Sequence, residues 1–586
     1  MADESRKSPL GRMSRRQMLG TTALLGGVVA GVAGETVGQE RPAAQAGSAA
    51  GSTAGPNLAP PVVQTACGKL RGLREGKTLS FLGIRYAEAE RFGPPRAVQP
   101  WEGTKNAQVW GPVCPAPEQA TVSGDELVFP HRYWIANEHC QYLNVWTQNL
   151  TPAAKKPVMV WMHGGGFTNG SSMESYAYDG RSLSEFGDVV VVSMNHRLNI
   201  LGTLDLSAYG PQYASSRYTG TADLVVALQW VKENIGAFGG DPGNVMIFGQ
   251  SGGGGKVVRM LHMPVAKGLF HRVAAQSGGN NTYRTTDVAA SIKAQQTIAA
   301  HTLKNLNLTG DQIDKLKTVP YSQLITAGVA ALRSAAQEVG RPTLNWEVIA
   351  DDQYVMREFC DWADSIPLMA GAVFSEMQGT LTRGDGRKNE WSQKEIDDQL
   401  DSAYGPKKGE IVTEFKQAFP KKKVQDVLYF ASGSRPTVKN LLNRKLEKTK
   451  TPVYNYLFAW EYPINGGITS FHCAELAFCF HALGVPQIKN ATGGGPVALA
   501  LQDKVSQAWI NFAKTGNPSQ PGLEWKPYTK EDPQAMVFDT VSQSVSLRDD
   551  KLVALLPAPA APGAGGRRGT PPSPAPRAPA RQASRL

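Results

Sequence analysis

Seven short blocks of apolar residues recur through the middle of the chain, at positions 142–146, 158–162, 189–194, 245–248, 273–276, 368–374 and 453–458. Runs of this length, with little polar alternation, are the pattern of strands buried on both faces. Helical periodicity separates several of them. It is clearest over 221–235, where Leu224, Ala227, Leu228 and Val231 fall on one face. Strand and helix in alternation predict an α/β protein with a large, mostly parallel central sheet flanked by helices. Shorter alternating patterns at 68–72 and 80–86 predict antiparallel strands ahead of that sheet. Two stretches, 288–354 and 391–450, mix charged and apolar residues with few strand candidates, and we read them as helical insertions capping the sheet. Past residue 556 the chain is Pro, Ala, Gly and Arg. It lacks the apolar side chains that offset ordering entropy, so 557–586 is expected to be a disordered tail.

A length of 586 residues fits several average domains or one large enzyme with insertions, and the single strand–helix series favours the second, over residues 62–556. The net charge of +11 invites a nucleic-acid reading, but its distribution removes that reading. Residues 1–61 carry six basic and four acidic side chains and residues 557–586 carry five arginines and no acid, so more than half of the excess lies at the two ends. Near the amino terminus, Ser14-Arg15-Arg16-Gln17-Met18-Leu19 is a twin-arginine pattern followed by an apolar, glycine-rich stretch short for a membrane span. We therefore expect a twin-arginine signal over 1–34, a flexible linker over 35–61, and a protein exported to the periplasm or beyond, without membrane insertion once the signal is cleaved.

Candidate chemistry begins at Gly249-Gln250-Ser251-Gly252-Gly253-Gly254, which follows the apolar run 245–248. A strand turning sharply through a serine into a helix is a nucleophile elbow, and close backbone approach requires glycine two residues to either side, at Gly249 and Gly253. A second strand pattern ends in His163-Gly164-Gly165-Gly166-Phe167, a flexible backbone whose amides can hold a developing oxyanion. Serine needs a base, and the base needs a third group to orient it. In elbow hydrolases the order is serine, acid, histidine. Of nine histidines, His262, His271, His301, His472 and His481 follow Ser251, and the first three leave little chain for another strand and its acid. His481 lies in the apolar run 477–483 and reads as structural, whereas His472 follows Asn465-Gly466-Gly467 and suits a loop facing a pocket. Glu376, two residues past the run 368–374, is the best-placed acid; Asp351, Asp352, Asp361 and Asp364 flank segments that read as loops or helices.

Six cysteines are too few for a disulfide scaffold at this length. Cys114 and Cys140 bracket 25 residues rich in Pro, Glu and aromatics, a loop-like segment that a bridge would pin, whereas Cys67, Cys360, Cys473 and Cys479 are expected to be free.

The run from Phe238-Gly239-Gly240-Asp241-Pro242 through Gly249-Gln250-Ser251-Gly252-Gly253 resembles the serine signature of the type B carboxylesterases, the group of cholinesterases and bacterial para-nitrobenzyl esterases within the α/β-hydrolase superfamily. Residues 218–235, 267–272, 276–278 and 509–518 resemble further segments of that family in the same order, so the likeness spans roughly 62–550. The resemblance implies an α/β-hydrolase fold with Ser251 as nucleophile, Glu376 as acid and His472 as base. It implies oxyanion donors at Gly165, Gly166 and Gly252, Ser277 close behind the acid, and the Cys114–Cys140 pairing. The activity implied is hydrolysis of small to medium carboxylic esters through an acyl-enzyme, with a small-molecule ester as partner and with no metal or organic cofactor. An inactive binding protein on the same scaffold, or a hydrolase of amides, carbamates or polymer-linked esters, are the alternatives. Some positions depart from the family pattern. His139 and Gln141 replace an acidic residue and a leucine in the second signature, Met377 stands where glycine is common, and Gln250 replaces a frequent glutamate, which weakens any preference for cationic substrates such as choline esters.

Overall fold

A computed structural model describes residues 59–118, 122, 125–279, 287–383 and 387–557. The expected signal over 1–34 and nearly all of the expected linker and tail lie outside the described residues. Eleven strands form the main sheet: β1 (Leu73–Glu75), β2 (Thr78–Arg85), β3 (Tyr142–Thr147), β4 (Lys156–Met162), β5 (Val190–Met194), β6 (Gly240–Gln250), β7 (Arg272–Gln276), β8 (Leu368–Val373), β9 (Val453–Phe458), β10 (Gln534–Phe538) and β11 (Gln543–Ser546). Their spatial order is β11-β10-β9-β8-β7-β6-β4-β5-β3-β2-β1. From β5 through β4 and β6 to β10 every pairing is parallel, while β3, β2, β1 and β11 add antiparallel edges. All seven apolar blocks in the sequence are strands. The last hairpin, β10 and β11, was not among the expected strands; it is short, and polar residues interrupt its pattern.

Strand β4 shows why the blocks read as continuous. Val158, Val160 and Met162 point to one face, where Leu224, Leu228 and Val231 of α1 (Thr219–Asn234) cover them, and Met159 and Trp161 point to the other, against Phe480 and Trp509. Side chains alternate, yet both faces are covered, so from Val158 to Met162 no position has a reason to be polar. The helix α2 (Gly252–Met260) follows β6 directly. The first insertion forms α3 (Val288–Asn305) and α4 (Tyr321–Glu338), which pack on Leu198, Ile200 and Leu201. The second forms α5 (Gln393–Tyr404), α6 (Lys408–Ala418) and α7 (Ser434–Lys448); the first two of these close over Phe374 at the end of β8 and Leu457 of β9. A further helix, α8 (Pro496–Thr515), lays Leu501, Val505 and Trp509 on the face opposite α1. Among the described residues no helix is long and apolar enough to cross a membrane.

Candidate active site

Four parallel strands deliver their carboxyl ends to one place, the usual position of ligand sites in open parallel sheets. Beyond β6 the chain turns through Ser251 at φ 56° and ψ −122°, a strained conformation for a residue with a Cβ, and enters α2. The turn is this tight because α2 presses onto β4: a Cβ on Gly253 would lie 2.0 Å from the Met162 carbonyl oxygen, and one on Gly249 would lie 2.6 Å from Gly253. Ser251 N–H donates to the Gln276 carbonyl at 2.8 Å, which fixes the elbow to the end of β7.

Beyond β4, the loop of Gly164, Gly165 and Gly166 runs beside the elbow. A Cβ on Gly252 would lie 2.4 Å from the Gly166 nitrogen, so these two backbones are in direct contact. Gly165 and Gly166 have φ of 79° and 64°, which glycine adopts at no steric cost. The three expected oxyanion positions are therefore assembled around the start of α2, where the helix dipole also favours negative charge.

Glu376 lies past β8, itself at φ 48°. One of its carboxylate oxygens accepts a short hydrogen bond from Nδ1 of His472, the other accepts from Val373 N–H at 3.2 Å, and the Glu376 carbonyl accepts from His472 N–H at 3.2 Å. His472 is mostly buried, with about 16% of its side chain exposed. Burial pulls its pKa down, but the Glu376 carboxylate outweighs burial, helped by Glu475 and Asp125, and the net direction is up from 6.5. Gln250 Nε2 lies 3.2 Å from Nε2 and 3.4 Å from Nδ1 of that ring. Near-equal distances place the amide across the ring and out of line with either nitrogen's lone pair. The Ser251 hydroxyl makes no hydrogen bond to His472 in this structure; such bonds in substrate-free sites are often long and tighten on binding. Gln250 Oε1 accepts from the Cys473 thiol at 3.3 Å, so the residue before the serine is tied to the residue after the histidine.

Several expectations fare differently. Ser277 N–H donates to Gly371, but its hydroxyl has no hydrogen-bond partner and does not bind Glu376. His481 is partly exposed, stacked on Phe186 at 3.9 Å and paired with Asp503 at 2.9 Å, consistent with a structural role. Cys114 and Cys140, expected as a disulfide, are free thiols here. They lie together inside an apolar cluster, and burial, with a thiol–thiol hydrogen bond, raises the Cys140 pKa well above its usual value. Met377, in the place of a glycine, points into solvent, and Gln141, in the place of a leucine, is buried with its amide on Asp223 at 3.3 Å. The loop 278–283, expected to shape the substrate pocket, lies mostly outside the described residues.

Two side chains escaped sequence reasoning. Glu475 is buried behind the histidine, accepting from Gln276 at 3.2 Å and Tyr456 at 3.4 Å, and burial, with the nearby Glu376 charge, raises its pKa to about 7. An acid three residues after His472, at the head of an apolar run, was the available signal. Lys256 lies fully buried beneath the oxyanion loop.

The model of the carboxylesterase family matches residues 59–552. This chain belongs to the carboxylesterase family. Para-nitrobenzyl esterase of Bacillus subtilis (strain 168) is 33% identical over 493 residues, covering 82% of this chain and 95% of that protein. Phenmedipham hydrolase of Pseudarthrobacter oxydans is 30% identical over 504 residues, covering 81% and 94%. Among solved structures, an esterase from anaerobic Clostridium hathewayi that can hydrolyse aliphatic aromatic polyesters superposes with a TM-score of 0.77 at 41% identity, covering 84% of this chain and 97% of its own. The carboxylesterase has the α/β-hydrolase fold and is a serine-type carboxylic ester hydrolase, whose substrates are small-molecule esters.

Proposed function

We propose that this carboxylesterase works through Ser251, His472 and Glu376, with the amides of Gly165, Gly166 and Gly252 as the oxyanion site. The observation that carries the reading is the Glu376–His472 hydrogen bond, with the same ring within 3.2 Å of Gln250, the residue before the strained Ser251. His472 Nε2 takes the Ser251 proton as Oγ attacks the ester carbonyl, and the amides hold the resulting oxyanion. Collapse expels the alcohol, which leaves with the proton from His472. Water then repeats the sequence on the acyl-enzyme and releases the acid. Glu376 holds Nδ1 protonated and stabilises the imidazolium. Replacing Ser251→Ala should leave the unfolding curve unchanged, abolish labelling by an organophosphate and lower turnover of p-nitrophenyl acetate by several orders of magnitude; near-normal turnover refutes the assignment.

A second reading concerns substrate size. A cleft of about 520 Å³ runs between Asn169 and Gly170, which back onto the oxyanion loop, and the exposed aromatic rings of Tyr133 and Trp134. Together with the likeness to the Clostridium hathewayi enzyme, this favours bulky aromatic esters, free or polymer-linked. Comparing kcat/KM for an acetate ester and a dibenzoyl glycol ester tests it, and loss of the larger substrate's advantage in Trp134→Ala is the expected result. We also propose export through the twin-arginine route, supported by Arg15 and Arg16 and the apolar stretch after them.

A further inference from the structure

Lys256 stands five residues after Ser251 on α2, with no solvent exposure. Its ammonium donates to the His163 carbonyl at 2.9 Å and to the Gly164 carbonyl at 3.4 Å. The second of these matters chemically. The Gly164 carbonyl shares a peptide unit with the Gly165 N–H, and in a trans peptide the two point in opposite directions. A cation on the carbonyl edge therefore aims the Gly165 N–H away from Lys256, and by drawing electron density toward the oxygen it makes that N–H a stronger donor. Burial keeps water from screening the charge. We propose that Lys256 is a positioning residue for ester hydrolysis, acting through the Gly164–Gly165 peptide on the oxyanion. The inference rests on the catalytic reading above.

The surroundings fit a charge that is costly to keep. Burial lowers the Lys256 pKa to about 7, Arg259 on the same helix pushes in the same direction, and Glu174 and Cys114 oppose it. The Phe167 ring lies 5.5 Å away, and His163 and His196, stacked at 5.1 Å, are held neutral by burial and by Lys256 itself. A purely structural lysine at this depth would be replaceable by a neutral chain of similar length.

The test compares wild type with Lys256→Met, using p-nitrophenyl acetate and an aryl trifluoromethyl ketone, which forms a tetrahedral oxyanion adduct on serine. The expected result is a drop in kcat of about 10- to 100-fold, smaller than loss of a whole donor, with KM within about twofold. The inhibition constant of the ketone should rise by the same factor. Wild-type kcat/KM should also fall as the pH rises through about 7 and the ammonium loses its proton, and the variant should lose that limb. Kcat within twofold of wild type, or an unchanged alkaline limb, overturns the proposal while leaving the serine mechanism intact. Retained activity in Ser251→Ala overturns the mechanism instead. If Lys256→Met does not fold, wild type alone decides: ketone affinity that stays flat from neutral to alkaline pH overturns the proposal.

Discussion

Four residues with side chains adopt left-handed backbone around this site: Ser251, Ser277, Glu376 and Cys473. Each such conformation costs on the order of 1–3 kcal/mol and persists only where the surroundings impose it. At Ser251 the imposing contact is α2 on β4, and at Glu376 it is the isolated bridge to Phe471, which brings His472 alongside. The carboxylate then decides the protonation of the ring. Since burial alone would lower the pKa of His472 and Glu376 reverses the direction, half-loss of kcat/KM on acidification should come at a pH above 6.5. The base must be neutral, so activity falls below that midpoint and rises above it until the Lys256 limb sets in. Glu376→Gln should move the midpoint downward and reduce the plateau by about 10³- to 10⁴-fold, since the amide no longer enforces the reactive tautomer. A midpoint that stays in place would show that the Glu376 charge does not set it.

The same dependence on neighbours holds between elements. The segment after β5 is held to α1 by Arg197, whose guanidinium meets Asp223 at 2.7 Å with both side chains buried and also donates to the Glu90 and Gly93 carbonyls. Gln141, at the entry to β3, adds its amide to the same carboxylate. Removing one partner leaves the other charge buried and unpaired, so Arg197→Met should lower stability by about 3–5 kcal/mol in guanidinium denaturation. A change under about 1 kcal/mol would mean that water reaches Asp223. At this scale the strands were legible from sequence because β4 to β9 are covered on both faces, and α1 was legible because its apolar stripe faces one of them. The β10–β11 hairpin lay outside that logic: four of the five β10 side chains are buried, yet one of those four is Gln534 and β11 is mostly polar.

For the molecule as a whole, the family match over residues 59–552 and the concentration of basic residues at the two ends separate the catalytic body from its extensions. If export depends on the arginine pair, replacing Arg15→Lys and Arg16→Lys together should retain active enzyme inside the cell, as cell fractionation with an ester assay would show; normal export removes that route. The chemistry that sequence alone determined is local. The elbow reads as a short motif of strand, Gly249, Ser251 and Gly253, although the contact that tightens it, Gly253 on Met162, is long-range. Chain order narrowed the candidates to His472 and Glu376, which the fold brings into hydrogen-bond contact because strand ends in a parallel sheet converge. What only the tertiary structure decided is burial and its consequences: Lys256 behind the oxyanion peptides, Glu475 behind the histidine, Gln250 bridging His472 and Cys473, and two cysteines left as thiols. Charge state, hydrogen-bond partner and strain at these positions come from residues tens to hundreds of positions away, and a linear pattern does not carry that information.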